Sequence, residues 1–206
     1  MSLPASVMFL NDYQAPYGGS FIPSLLALEK ALRARGVACL WVFPAGARER
    51  AWCQALMDGE RALAFLEGGA PARQRALDGL VRRHGTALIH AHFGFFLAAR
   101  LEALLRPRLR VALHVHSDFS GGRRPPLWRR MAGALLNALA AKRCLRIMVG
   151  KHMAKKERGA VYIPNGVDFS RSSGAAGERE ALRARLELGP EERFVLMFGW
   201  SPHIKG

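Results

Sequence analysis

Val37-Ala38-Cys39-Leu40-Trp41-Val42-Phe43 is an unbroken apolar run. A strand with one wet face alternates apolar and polar residues, whereas a parallel strand covered by helices on both sides reads as a continuous apolar stretch. The run is therefore the signature of a buried parallel strand. The residues before it agree. Ser6 to Leu10 is a short apolar run ending in Asn11-Asp12, the loop Tyr17-Gly18-Gly19-Ser20 follows, and Phe21, Leu25, Leu28 and Leu32 recur at helical spacing. Ser20 is positioned to cap that helix, Pro23 falls in its first turn, and Gly36 stops it after Arg33 and Arg35. Strand, glycine loop, helix and strand make an opening βαβ unit.

The same beat continues along the chain. Ala47 to Met57 and Pro71 to Arg83 read as helices, the second with Leu77, Leu80 and Val81 on one side and arginines on the other. Arg61 to Leu66 between them is ambiguous. Thr86 to Ala91 is strand-like, Phe93 to Leu105 helical and Arg110 to His116 strand-like; after one more helix, Leu145 to Val149 is again strand-like. This alternation predicts an α/β fold, a Rossmann-like open parallel sheet with helices on both faces and right-handed crossovers. Tyr162-Ile163-Pro164-Asn165-Gly166-Val167-Asp168 reads as a hinge, because Pro164 biases Ile163 toward extended geometry and Asn-Gly accommodates a sharp turn. Beyond it, Ser170 to Gly177 is linker-like, Glu178 to Leu188 is helical, and Arg193 to Phe198 is an apolar strand entering a glycine turn.

With 206 residues, half of them apolar, the chain supports a sizeable core. No apolar run is long enough to span a bilayer, and the N-terminus lacks a basic leader region, so neither a transmembrane anchor nor export is expected. Cys39, Cys53 and Cys144 are odd in number and widely spaced, which argues against a disulfide framework or zinc ribbon and suits a reducing cytosol. The net charge of +15 implies attraction to an anionic partner: nucleic acid, acidic lipid or a phosphorylated substrate. No helix-turn-helix, RNP or zinc-finger pattern accompanies it, so specific nucleic-acid binding is not expected.

Ligands of open parallel sheets gather at the carboxyl ends of the strands. The first such end carries Gly18 and Gly19, where backbone N–H groups can approach a ligand next to a helix N-terminus. Two others are His90-Ala91-His92-Phe93-Gly94 and His114-Val115-His116-Ser117-Asp118. Histidines two apart in a strand share a face, which makes His90 and His114 candidate core residues and His92 and His116 candidates for substrate contact nearer the loops. His-x-His-x-Asp also resembles the ligand spacing of binuclear zinc hydrolases, but residue 119 is Phe and no later cluster completes such a site, so no bound metal is expected. Finally, Leu127, Met131, Leu135 and Ala138 share a helical face beside Trp128, within a stretch rich in arginine and lysine. Packing of that face against the sheet is the favoured reading, and contact with an anionic membrane surface is the alternative.

Taken together, Gly18-Gly19, the two His-x-His strand ends, Ile163-Pro164-Asn165-Gly166-Val167-Asp168 and the segment from Phe198-Gly199 to Lys205-Gly206 resemble the retaining glycosyltransferases of family 4, which have the GT-B fold. The resemblance runs from Val7 to Gly206. It implies an acceptor-side domain over residues 1–164, a hinge and linker helix over 165–192, and the first strand and glycine turn of a nucleotide-sugar-binding domain over 193–206. It implies transfer of a sugar from a nucleotide-sugar co-substrate to a glycan or lipid acceptor in cell-envelope polysaccharide biosynthesis. No cofactor is implied, and the location would be cytoplasmic, peripheral at the inner face of the cell membrane. His116 corresponds to the catalytic histidine near the transferred sugar, and Gly18, Gly19, His92, Asp118 and Lys205 to substrate-binding positions. Trp200 departs from the pattern, since many members carry arginine there. The later acidic pair and base pocket of the family have no counterpart in these residues, so this polypeptide alone is expected to be inactive. The reading from another class is a non-catalytic basic domain that binds anionic membranes.

Overall fold

A computed structural model describes residues 3–59, 61–116, 127–140, 142–166, 175–189 and 191–193. The chain divides into two compact units, Met1–Gly166 and Val167–Gly206. The first unit is built on strands β1 (Ser6–Asn11), β2 (Ala38–Pro44), β3 (Leu63–Leu66), β4 (Leu88–His92), β5 (Arg110–Val115), β6 (Cys144–Met148) and β7 (Val161–Tyr162). They form one sheet in the order β3-β2-β1-β4-β5-β6-β7, with every neighbouring pair parallel. Between the strands run helices α1 (Phe21–Arg33), α2 (Ala51–Asp58), α3 (Ala70–Arg83), α4 (Phe96–Leu105), α5 (Leu127–Ala140) and α6 (Lys151–Lys156); α7 (Ala175–Arg185) belongs to the second unit. The Rossmann-like open parallel sheet expected from the alternation is the observed architecture.

The continuous apolar run is buried on both faces, for the reason its composition suggests. Leu40 and Val42 join Met8, Leu10, Ile89, Ala91, Val111 and Leu113 in one core, which α3 closes with Leu77 and Val81 and α4 with Ala99 and Ala103. Cys39, Trp41 and Phe43 point the other way and join Val7, Phe9, Ile22 and Leu25 beneath α1, with Leu56 from α2. Period-two alternation thus divides each strand between two cores. Large side chains such as Trp41 and Phe9, both fully buried, each contribute about 1.5–3 kcal/mol by leaving water.

Several local expectations are corrected. Ser20 precedes α1 but makes no side-chain cap; Ser24 Oγ instead donates to Ser20 O at 2.7 Å, which ties the first turn together from inside. The stretch 47–57 is not helical from its first residue: a 3-10 turn, Ala45–Ala47, ends there and α2 starts only at Ala51. Arg61 to Leu66 resolves into the edge strand β3. Gly36 does end α1, with φ +75° and its N–H on Arg33 O at 2.9 Å, a left-handed stop that suits glycine.

The apolar face of α5 does not pack inward. Leu127, Met131, Leu135 and Leu139 are 67, 64, 60 and 59% exposed, and Ala138 is exposed with them. The favoured expectation of a sheet-facing stripe is overturned: Ala140 is the fully buried residue of this helix among those described. Among the described residues no helix is long and apolar enough to cross a membrane. Residues 167–174 and the expected strand Arg193 to Phe198, apart from Arg193 itself, lie outside the described residues.

Candidate functional site

The strand order reverses direction between β1 and β4, which places a crevice at the carboxyl ends of these strands. In β4, Ile89 and Ala91 take the α3–α4 core, so His90 and His92 must face the α1 side; in β5, Val111 and Leu113 do the same and leave His114 on that side with His116 beyond it. The parallel register pairs His92 with His114. On this face the two strands end in a patch of four imidazoles, whereas Val7, Phe9, Trp41 and Phe43 make the neighbouring strands apolar.

The patch is hydrogen-bonded across the strands. His90 Nε2 is 3.3 Å from His114 Nδ1, and His92 Nδ1 is 2.9 Å from His116 Nε2. The His114 and His116 rings stack at 4.5 Å between centroids. Aromatic residues surround them: Phe21 meets His92 at 5.1 Å and His116 at 5.4 Å edge-on, and Phe93 stacks on His116 at 4.6 Å. Phe93 holds a left-handed backbone, φ 63°, a conformation that costs a non-glycine residue about 1–2 kcal/mol. The strain aims its ring at His116 and Tyr13, whose centroids lie 4.6 and 5.3 Å away.

The imidazoles form the floor of a cleft of about 310 Å³ walled by Ser20, Phe21 and Ser24 of the α1 end and by Ile163, Pro164, Asn165 and Gly166. Asn165 hydrogen-bonds His116 through its side chain, and Ser24 Oγ reaches Gly166 O at 3.4 Å. Burial holds all four histidines neutral. It pushes His90 down to about 3, His114 and His116 to about 4, and His92 well below its ordinary value; the Asn165 hydrogen bond opposes the shift at His116. A neutral imidazole can donate to, or accept from, a sugar hydroxyl or phosphate oxygen without bringing a fixed charge.

The sequence-derived candidates fall into three groups. His116 is half-buried at the cleft, where its position near a loop suggested. His92 also lines the cleft, yet it is only 1% exposed against 9% for His90; the ordering by distance from the loop fails because Phe21 and the His116 ring cover it. Gly18 and Gly19 precede the cleft-lining residues Ser20 and Phe21. Gly18 O accepts the Ile22 N–H at 3.2 Å, a Cβ on it would press on Trp52 Cβ at 3.3 Å, and Gly19 has φ +56°. Asp118 and Lys205 lie outside the described residues. Sequence reading missed Phe21, Ser24 and Phe93 as parts of the site, and took Asn165 for a turn residue only. The dipeptide Phe93-Gly94 directly after a strand end was the available signal for one of them.

Two other hollows lie in the described part of the first unit. One, of about 570 Å³ between α3 and α4, is mainly apolar, and its Gln74 is already committed to the buried Glu102 at 2.5 Å. Another beside α1 and Arg61 surrounds Glu29, whose carboxylate is taken by Arg33 and Arg61, each at 2.9 Å. Among the described residues, the histidine cleft gathers the larger set of polar side chains at the crevice where this topology places ligands.

The sequence matches no protein-family profile and no curated protein. Solved structures do match. A glycosyltransferase from Rickettsia africae ESF-5 aligns over 97% of this chain and 54% of its own, with TM-score 0.66 and 11% identity. MurG from Acinetobacter baumannii aligns over 80% of this chain and 47% of its own, with TM-score 0.51 and 15% identity. The fold is that of a GT-B N-terminal domain. The chain spans about half the length of these two structures, and at such identities the likeness is one of fold.

Proposed function

We propose that this chain is the acceptor-side half of a glycosyltransferase that moves a sugar from a nucleotide-sugar donor to a glycan or lipid hydroxyl, with retention of anomeric configuration as the family 4 resemblance implies. The observation that carries the reading is the cleft itself. Four neutral imidazoles and Asn165 converge at the switch point of a GT-B sheet, on the wall formed by the segment that leads out of the domain.

In this reading His116 contacts the transferred sugar, and its hydrogen bonds to His92 and Asn165 fix the ring and its tautomer. Phe93 and Phe21 hold the ring plane and exclude water. The Gly18-Gly19 loop sits near the donor diphosphate, where Asp118 and Lys205 add contacts from segments beyond the described residues. The donor base and its diphosphate would be held by a second nucleotide-binding half, with fixed donors aimed at the leaving charge. The test is transfer in a polypeptide carrying both halves, with and without His116→Ala. Transfer that survives the substitution unchanged removes His116 from the mechanism.

The exposed face of α5 favours a second, compatible reading, attachment to an anionic membrane. Leu127, Met131, Leu135 and Leu139 present an unpartnered apolar stripe, and the chain carries a net charge of +15, with Lys142, Lys151, Lys155 and Lys156 exposed nearby in sequence. Apolar insertion combined with attraction to acidic headgroups is the usual basis of interfacial binding. Such docking would hold the enzyme at the inner face of the membrane, beside a lipid-linked acceptor.

A further inference from the structure

The histidine cluster has a property that sugar transfer does not require. His90, His92 and His114 each offer a ring nitrogen, and these three nitrogens all lie within 4.8 Å of one another. Two nitrogens that bind one tetrahedral ion at a metal–nitrogen distance of about 2.0–2.1 Å sit about 3.3 Å apart; His90 Nε2 and His114 Nδ1 are 3.3 Å apart. A second observation is independent of that spacing. Among the described residues His92 Nε2 is buried without a hydrogen-bond partner, and His92 is 1% exposed. An orphaned buried nitrogen carries a full desolvation cost unless something binds it.

We propose that His90, His92 and His114 form a binding site for a divalent transition-metal ion of the zinc class at the floor of the cleft. The donor set is all imidazole, and no carboxylate appears among the cleft-lining residues described. Nitrogen donors select zinc, copper, nickel and related ions over calcium or magnesium, which take oxygen ligands. His90 and His92 come from β4 and His114 from β5, so a bound ion cross-links the two strands at their carboxyl ends. The ion would fill the floor of the cleft, beneath the His92–His116 pair. The site joins β4 to β5, and it goes beyond the glycosyltransferase reading without depending on it.

The test is direct binding of zinc chloride to the metal-free chain by calorimetry or equilibrium dialysis at neutral pH, together with the visible spectrum of the cobalt-loaded protein. The expected result is one ion per chain and the intense absorption of four-coordinate cobalt with nitrogen ligands. His90→Ala and His114→Ala should each weaken binding at least about tenfold, while a variant lacking the exposed His84 and His152 binds as before. Should either ligand variant misfold, the cobalt spectrum of the unaltered chain still decides. Absence of a stoichiometric ion, a six-coordinate cobalt spectrum, or zinc retained in folded His90→Ala and His114→Ala proteins overturns the proposal.

Discussion

His92 Nδ1 and His116 Nε2 stand 2.9 Å apart, on neighbouring strands, in a pocket closed by Phe21 and Phe93. One ring must donate and the other accept, so the two cannot both be imidazolium while the contact lasts. The pair binds the most buried histidine of the cluster to the one nearest the cleft.

Breaking that pair should separate positioning from contact. His116→Ala is expected to lower transfer by about 10²–10⁴-fold, the usual range for a polar group acting on the reacting atoms. His92→Ala leaves His116 in place but frees its ring, and a smaller loss is expected, concentrated in kcat. Steady-state kinetics of both variants check this; equal values for His92→Ala and the unaltered enzyme would show that the hydrogen bond does not position His116.

The same cluster should make the fold acid-sensitive. All four imidazoles have folded-state values below the ordinary 6.5 because burial opposes their charge. The unfolded chain therefore binds protons that the folded chain does not. Stability is whole above about pH 6.5 and falls as the pH drops from there toward 4, each group contributing up to about 1.4 kcal/mol per pH unit. Urea unfolding with a chelator present, at pH 7.5 and pH 5, measures the effect. Equal midpoints would contradict the buried neutral histidines, and His114→Gln should flatten the profile.

Two glycines should be costly to replace for different reasons. Gly19 has φ +56°, so Gly19→Ala is expected to cost about 1 kcal/mol through backbone strain alone. A Cβ at Gly94 would overlap the Asp12 carboxylate, which is half-buried, and Gly94→Ala is expected to cost about 1–3 kcal/mol as overpacking. Chemical denaturation reads both; the Gly94 estimate fails if the paired substitution Asp12→Ala does not relieve it.

Membrane attachment makes a prediction specific to α5. The chain should sediment with anionic liposomes at low salt and be released as salt screens the charge. Met131→Glu and Leu135→Glu should abolish sedimentation without changing the thermal midpoint, because both residues are already exposed. Sedimentation that is unaffected by these substitutions would leave charge alone as the cause, and none at low salt would remove the membrane reading.

The sequence by itself determined the layered architecture. A continuous apolar run such as Val37–Phe43, set between glycine loops and helical spacings, fits a strand of a helix-covered parallel sheet, and apolar spacing located most of the helices to within a few residues. Because ligands of such sheets collect at strand ends, it also pointed to His92 and His116. What periodicity reports is which residues share a face; it does not say what lies opposite that face. Glu102 shows the consequence: nothing in the helical stretch Phe93 to Leu105 marks it for burial, yet it is fully buried between Gln74 of α3 and Arg106. The α5 stripe fails in the opposite sense, apolar and outward. Only the tertiary structure brought His90 and His92 against His114 and His116, and set Asn165 of the hinge over them. Those contacts depend on strand order and register, which arise from packing between segments far apart in the chain rather than from any local pattern.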